Sequence, residues 1–282
     1  KKLILTALGL ALLATISFSQ ETKKVLFIGN SYTYVNDLPN ILSEIAASLG
    51  DTLIYDSSAP GGFTLESHST YAETLNKIQS ERWDYVIIQE QSQRPSFSPG
   101  QVANEVLPYA EDLVDLIIAN DSCTIPMFFM TWGRKNGDQS NCQFYPPVCT
   151  YEGMQQRLRE SYLLMAQLNN AEVAPVGAAW QQVRINNQDI ELYSSDESHP
   201  SWEGSYLAAC VFYSSIFQKS PFTTFIPSQI LDIDGLYLQN KANEIVFDSI
   251  ANWLIDTTSV YCNFDYDPMT NPIQFSNHSL NA

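Results

Sequence analysis

The sequence predicts an α/β fold, a three-layer α/β/α sandwich around a central parallel sheet of about five strands. Three observations predict it. Short apolar runs recur at residues 25–28, 53–55, 83–89, 125–130 and 172–175, and runs without polar alternation suit parallel strands buried on both faces. Between successive runs lie segments of helical period, the alternation that βαβ units produce. Most runs end in polar or glycine-bearing corners, and in open parallel sheets such carboxyl-end corners share the edge where ligands gather. The chain of 282 residues shows no internal repeat and no linker between two cores, so residues 20–260 read as one large domain.

The elements follow in order. The first strand runs into Gly29-Asn30-Ser31, where a serine hydroxyl is exposed, rigidly held and close to backbone N–H groups. Those are the needs of an acyl-transfer nucleophile; the plainer alternative is that Ser31 caps the next helix. Asn36-Asp37-Leu38-Pro39 reads as a helix start with Asp37 as the cap, and Leu38, Ile41, Leu42, Ile45 and Ala46 carry the apolar face to Gly50. The second strand leads into a tight loop, Ser57-Ser58-Ala59-Pro60-Gly61-Gly62, before a helix at 67–79. The third strand ends in Gln89-Glu90-Gln91-Ser92, and residues 101–120 form a long helix bent at Pro108. The fourth strand opens through Thr131-Trp132-Gly133-Arg134 into a polar loop, and Met154, Leu158, Tyr162 and Met165 mark the helix after it. A weak fifth strand, a short helix at 177–183 and helices at 202–217 and 241–255 complete the domain.

Composition narrows the function. With 45% hydrophobic and 16% charged residues the chain is globular and too apolar for disorder. A formal net charge of −17 argues against nucleic acid or anionic membrane as a partner and favours a neutral substrate. Residues 1–19 read as a secretory signal: Lys1 and Lys2, an apolar run to Phe18, and a small-x-small site at Ser17-Phe18-Ser19. The run is short for a membrane anchor, so the expected location is periplasmic or extracellular, with no membrane contact after signal removal. Residues 261–282 read as a flexible tail or linker. Of the five cysteines, Cys142 and Cys149 flank a short loop that a disulfide would staple. Among Cys123, Cys210 and Cys262 at least one is unpaired, and Cys210 reads as a buried small hydrophobe. No C-x-x-C pair or histidine–cysteine cluster occurs, so a structural zinc site has little support, and the acyl-transfer chemistry of a serine nucleophile implies neither metal nor cofactor.

Far downstream of Ser31, one short segment carries Asp196 and His199, followed by Pro200. An imidazole and the carboxylate that orients it are what a serine nucleophile requires, since a hydroxyl is a poor nucleophile at neutral pH.

These residues resemble the SGNH hydrolases, also called GDSL-type esterases and lipases. Gly29-Asn30-Ser31 matches the family's Gly-Asp-Ser corner, and Asp196-Glu197-Ser198-His199 its late Asp-x-x-His loop. The resemblance covers residues 24–256 and implies a flavodoxin-like sheet with Ser31, His199 and Asp196 as the triad. It also implies an oxyanion hole built from the Ser31 N–H, the N–H of Gly61 or Gly62, and a side-chain amide. Two departures stand out. Asn30 replaces the usual aspartate, and the family's Gly-x-Asn-Asp block after the third strand is absent, its place taken by Gln89-Glu90-Gln91-Ser92. A glutamine amide is the same donor on a longer arm, so Gln89 or Gln91 fills that role, Gln89 being preferred because it continues the strand.

Carbohydrate acetylesterase branches of the superfamily look similar in having a glutamine-containing block. The expected function is therefore a secreted serine esterase removing short acyl groups, acetyl above all, from carbohydrate. The alternatives are a lipase, arylesterase or thioesterase of the same superfamily, or a non-catalytic carbohydrate-binding protein on the same fold. Trp132 and Arg134 stand where sugar stacking and hydrogen bonding would be useful, although loop packing is the simpler reading. His68 reads as a surface or capping residue, His278 as incidental, and Glu90 is expected to point away from the oxyanion hole.

Overall fold

The computed structural model describes residues 20–255 and the backbone of residues 264–267 and 274–277. Five parallel strands, β1 (Thr22–Ile28), β2 (Thr52–Ser58), β3 (Tyr85–Ile88), β4 (Ile125–Phe129) and β5 (Glu172–Ala174), lie in the order β2-β1-β3-β4-β5. This is the expected doubly wound sheet with β3 at its centre, and all four residues of β3 are buried. Register places Ile28 beside Ile88, and Ile88 beside Phe128, so the first, third and fourth strands end level with one another.

β2 is longer than its apolar run suggests. Asp56, Ser57 and Ser58 pair with Leu26, Phe27 and Ile28; an edge strand has one open side, so polar residues are tolerated there. The helix expected at 67–79 is two helices, α3 (Leu65–Thr70) and α4 (Ala72–Ser80), which follow α1 (Ser31–Tyr34) and α2 (Leu38–Ser48) in the chain. Tyr71, in extended conformation, separates them. The long helix is likewise α5 (Pro99–Glu105) and α6 (Leu107–Asn120), broken at Val106. Pro108 lacks the N–H that would continue the ladder, and its ring would clash one turn back, so it sits in the first turn of a new helix.

Three helices complete the sandwich beside the carboxyl half of the sheet: α7 (Tyr151–Leu168), α8 (Val176–Asn186) and α9 (Trp202–Phe217). Residues 204–217 of α9 are all buried. Its sheet-facing side meets Phe27 and Phe129 through Phe212, with ring centroids 5.9 and 4.8 Å apart. Its flanks meet α2, and its outer side is covered by α10 (Asp232–Phe247). A helix apolar all round is stable only when covered in this way. Cys210 lies inside it, fully buried as expected.

α10 corrects the expected helix at 241–255. Gly235 and the polar Gln239-Asn240-Lys241 obscure the period, whereas Asp232 and Asp234 favour a start where the helix dipole is positive. Asp37 does not cap α2 with its side chain: both Asn36 and Asp37 have left-handed backbones, with φ 56°. The disulfide Cys142–Cys149 is formed. Among the described residues no helix is long and apolar enough to cross a membrane. Within the expected tail, β6 (Phe264–Asp267) and β7 (Gln274–Asn277) pair antiparallel. The signal-like segment 1–19, Cys262 and His278 lie outside the described residues.

Candidate active site

The level ends of β1 and β3 set the site. Asn30 precedes the single turn of α1 and caps it, its Oδ1 accepting the Tyr32 N–H at 3.2 Å. Ser31 is therefore the first residue of that turn, where backbone N–H groups have no intrahelical partner. Its Oγ lies 2.8 Å from His199 Nε2, and His199 Nδ1 lies 2.5 Å from Asp196 Oδ2. The structure thus joins the three residues that the sequence singled out in one continuous line of contacts.

The loop carrying the base is self-bracing. Tyr193 and Pro200 form an antiparallel bridge, and the Ser194 N–H donates to the His199 carbonyl at 2.8 Å. Asp196 Oδ1 accepts from the Ser198 N–H, the His199 N–H and Ser194 Oγ at 3.1, 2.9 and 2.7 Å. Desolvation alone would raise its pKa. The hydrogen bonds from His199, Ser194 and the two backbone N–H groups outweigh it, holding the carboxyl well below the usual carboxylate range. Asn36 ties this loop to the nucleophile side, its Nδ2 donating to the Pro200 and Ser201 carbonyls at 3.2 and 2.9 Å. The left-handed backbone of Asn36 is what aims that amide, a function hidden behind the expected helix cap.

The nucleophile corner is locked from three sides. A Cβ on Gly29 would sit 2.3 Å from Thr33 Oγ1 and 2.7 Å from Gln89 Oε1, so only glycine fits. Gln89, fully buried, accepts the Asn30 N–H at 2.9 Å and Thr33 Oγ1–H at 3.0 Å through Oε1. Its Nε2 donates to Asn30 Oδ1 at 3.0 Å and to the Glu90 carbonyl. Asn30 Nδ2 in turn donates to the Phe63 carbonyl at 2.9 Å, which pins the glycine loop to the corner. An aspartate at position 30 has no donor for that carbonyl, so Asn30 and Gln89 work as a reciprocal amide pair.

This corrects the preference for Gln89 as oxyanion donor: both hydrogens of its amide are engaged within the corner. Gln91 retains the capacity. Its Oε1 is turned to the N–H groups of Gln93 and Arg94, at 2.8 and 3.3 Å, and one N–H of Nε2 meets Gln93 Oε1 at 3.3 Å, leaving the second. Gly61 and Gly62 are exposed in a turn closed by the Phe63 N–H to the Pro60 carbonyl at 3.2 Å, with Gly62 at φ 75°. A Cβ on Gly61 would lie 3.4 Å from the Tyr34 hydroxyl, so Tyr34, itself half exposed, spans from the Ser31 turn to this loop.

His68 is corrected as well. It is fully buried, not a surface residue: Nε2 lies 2.8 Å from the Gly29 carbonyl and Nδ1 2.8 Å from Thr74 Oγ1. A carbonyl only accepts, so Nε2 carries the proton and Nδ1 receives the Thr74 hydroxyl. Burial pushes its pKa down, consistent with a neutral ring.

Trp132 is fully buried and offers no face to a sugar. It is stacked between Tyr32 and Trp180, with centroids 4.6 and 3.9 Å away, and its Nε1–H donates to the Ser198 carbonyl at 3.0 Å. Tyr32 meets His199 edge to face at 5.5 Å and bonds Ser198 Oγ through its hydroxyl at 2.7 Å. The stack therefore supports the His199 loop from below. Arg134 lies at the loop rim, 3.6 Å from the Asp138 carboxylate. Glu90, buried, turns to the Leu65 N–H at the start of α3. A cavity of about 1180 Å³ opens at the opposite ends of the strands, among Lys23, Asp84, Ile125 and Glu172. It includes none of the residues of this site.

No protein-family model matches the sequence, and no curated protein matches it. Solved structures do. A DUF4886 family protein from Bacteroides uniformis superposes with a TM-score of 0.68 at 21% identity, covering 80% of this chain and 96% of that one. A proposed SGNH hydrolase from Slackia heliotrinireducens gives 0.57 at 28% identity, over 68% of this chain and 98% of that one. The acetyl xylan esterase AlAXEase gives 0.50 at 14% identity, over 68% and 98%.

Proposed function

This chain has the fold of the SGNH hydrolases, and on that premise we propose that it is an exported serine esterase that removes short acyl groups, chiefly acetyl, from carbohydrate. The observation that carries the reading is the continuous line Ser31 Oγ–His199 Nε2 at 2.8 Å and His199 Nδ1–Asp196 Oδ2 at 2.5 Å. Ser31 attacks the ester carbonyl as His199 takes its proton, and Asp196 holds the ring and stabilises the imidazolium that forms. The Ser31 N–H, an N–H of Gly61 or Gly62 and the Gln91 amide receive the negative charge on the carbonyl oxygen. The protonated ring then delivers its proton to the leaving alcohol, and water repeats the sequence on the acyl-enzyme.

The preference for short acyl groups is supported by the polar surroundings of Ser31. The residues on either side of Ser31 have polar company, Asn30 bonded to Gln89 and the Tyr32 hydroxyl to Ser198 with Ser92 beside it, whereas a long acyl chain needs an apolar trough. A sugar alcohol is supported by the exposed ring of Tyr34 beside Ser31 and by the net charge of −17, which disfavours polyanionic substrates. Export rests on the signal-like residues 1–19. The test is Ser31→Ala against p-nitrophenyl esters of increasing chain length and against acetylated oligosaccharides. Wild type should turn over acetyl esters fastest and release acetate from the sugar, and Ser31→Ala should do neither. Ester turnover by a folded Ser31→Ala protein would overturn the assignment, and rates rising steadily to octanoyl would replace the acetyl reading with a lipase.

A further inference from the structure

The Gln91 amide is held by a chain of hydrogen bonds whose direction is fixed at both ends. At one end Gln91 Oε1 accepts the N–H groups of Gln93 and Arg94. A backbone N–H can only donate, so the orientation of the Gln91 amide follows from chemistry alone. At the other end Gln93 Nε2 donates to Asp138 Oδ2 at 2.7 Å. That turns Gln93 Oε1 towards Gln91 Nε2, 3.3 Å away, where it accepts one of the two hydrogens.

Asp138 is itself built in. It is fully buried, and its carboxylate also accepts from Asn141 Nδ2 at 2.7 Å and the Ser140 N–H at 3.2 Å, with Arg134 3.6 Å away. Its N–H donates to the Val148 carbonyl at 2.7 Å, inside the loop that Cys142–Cys149 closes. Burying a carboxylate is costly unless it is fully bonded, and one of its bonds leads through Gln93 to Gln91.

We propose that Asp138 is a positioning residue of the oxyanion hole, acting through Gln93 to keep the remaining Gln91 N–H directed at the ester carbonyl on Ser31. The proposal rests on Gln91 being the side-chain donor. Its place supports that: Ser31 and Gln91 each stand three residues beyond the register pair Ile28 and Ile88, and Ser92 lies beside the Tyr32 hydroxyl. A glutamine has one more rotatable bond than the asparagine common in the family. Without an anchor that longer arm must be ordered at every turnover, an entropic cost the relay removes in advance.

The experiment is a double-mutant cycle on p-nitrophenyl acetate with Gln91→Ala, Asp138→Asn and the pair, each checked by circular dichroism. Gln91→Ala should lower kcat by about 10²–10³. Asp138→Asn should lower kcat by roughly tenfold to a hundredfold with KM little changed. In the Gln91→Ala background Asp138→Asn should add almost nothing. Gln93→Leu, at a half-buried position, cuts the same link and should behave as Asp138→Asn does, which covers the case in which Asp138→Asn fails to fold. If Gln91→Ala is harmless, the donor assignment falls and the relay with it. If Gln91→Ala is costly while Asp138→Asn and Gln93→Leu cost as much in either background, the relay alone is overturned.

Discussion

Gln89 reaches across from β3 to Asn30, accepting its backbone N–H at 2.9 Å and donating to its side-chain carbonyl at 3.0 Å. Through that pair the end of the central strand fixes the turn on which Ser31 stands. Gln89→Ala should therefore be felt first as lost stability, about 2–4 kcal/mol, because it leaves buried donors and acceptors unpaired. Urea denaturation measures it. A Gln89→Ala protein as stable as wild type yet catalytically dead would return Gln89 to the oxyanion hole. Asn30→Asp probes the same pair from its other side: it sets a carboxylate against the Phe63 carbonyl and should cost roughly 1–3 kcal/mol.

Asp196 has a separate test. Its Oδ1 is engaged by its own loop and its Oδ2 by His199, so Asp196→Asn keeps the loop bonds but supports the wrong tautomer of the ring. A fall in kcat of about 10³–10⁴ with KM little changed is expected. Steady-state kinetics on an acetyl ester decide it, and a loss below tenfold would mean that His199 is oriented by something else.

The meeting of Ser31, His199 and Asp196 is legible because each residue stands in a local pattern. An apolar run ending in Gly29-Asn30-Ser31 and a segment bearing Asp196 and His199 announce themselves by type and spacing, and parallel-strand topology does the rest. What failed to show was who consumes each donor. Gln89 and Gln91 carry the same amide, and only the packed structure shows that Asn30 takes up the first. His68 stands next to a turn and reads as a surface or capping residue, but tertiary packing buries it completely; Trp132, whose simpler reading is loop packing, is buried as well. Asn36 was hidden for a different reason: a left-handed backbone leaves no periodic trace in sequence. The helical period over 67–79 and 101–120 is legible but its breaks are not, since a single extended residue such as Tyr71 barely disturbs the pattern.

Trp132 and Tyr34 should separate a packing role from a substrate-contact role. Trp132→Ala removes the centre of a three-ring stack and should destabilise the fold by about 3–5 kcal/mol. Tyr34, half exposed at the cleft, should tolerate Tyr34→Ala with an intact fold and a KM raised several-fold on an acetylated oligosaccharide, with p-nitrophenyl acetate little affected. Thermal melts and the two sets of kinetics separate the residues. Equal effects of Tyr34→Ala on both substrates would remove the sugar-contact role.

Glu90 gives the fold a pH dependence of its own. Desolvation raises its pKa to about 7, against the pull of hydrogen bonds from the Gln91 and Leu65 N–H groups and of nearby Arg94; Glu66 adds to the rise. In the unfolded chain the group titrates near the ordinary glutamate value. Between roughly pH 4.5 and 7 the folded protein thus binds more protons than the unfolded one, and stability falls as pH rises through that window. The contribution is fully present below the unfolded pKa and is lost as pH passes the folded value, a change on the order of 3 kcal/mol. Glu90→Gln keeps a carbonyl oxygen for the two N–H groups and cannot ionise. Urea denaturation of both proteins at pH 5 and pH 8 isolates the effect from other titrating groups. The variant should gain on wild type at pH 8 relative to pH 5. A difference between the two proteins that stays constant across that range would show that Glu90 titrates normally, and that burial at the end of β3 does not hold it neutral.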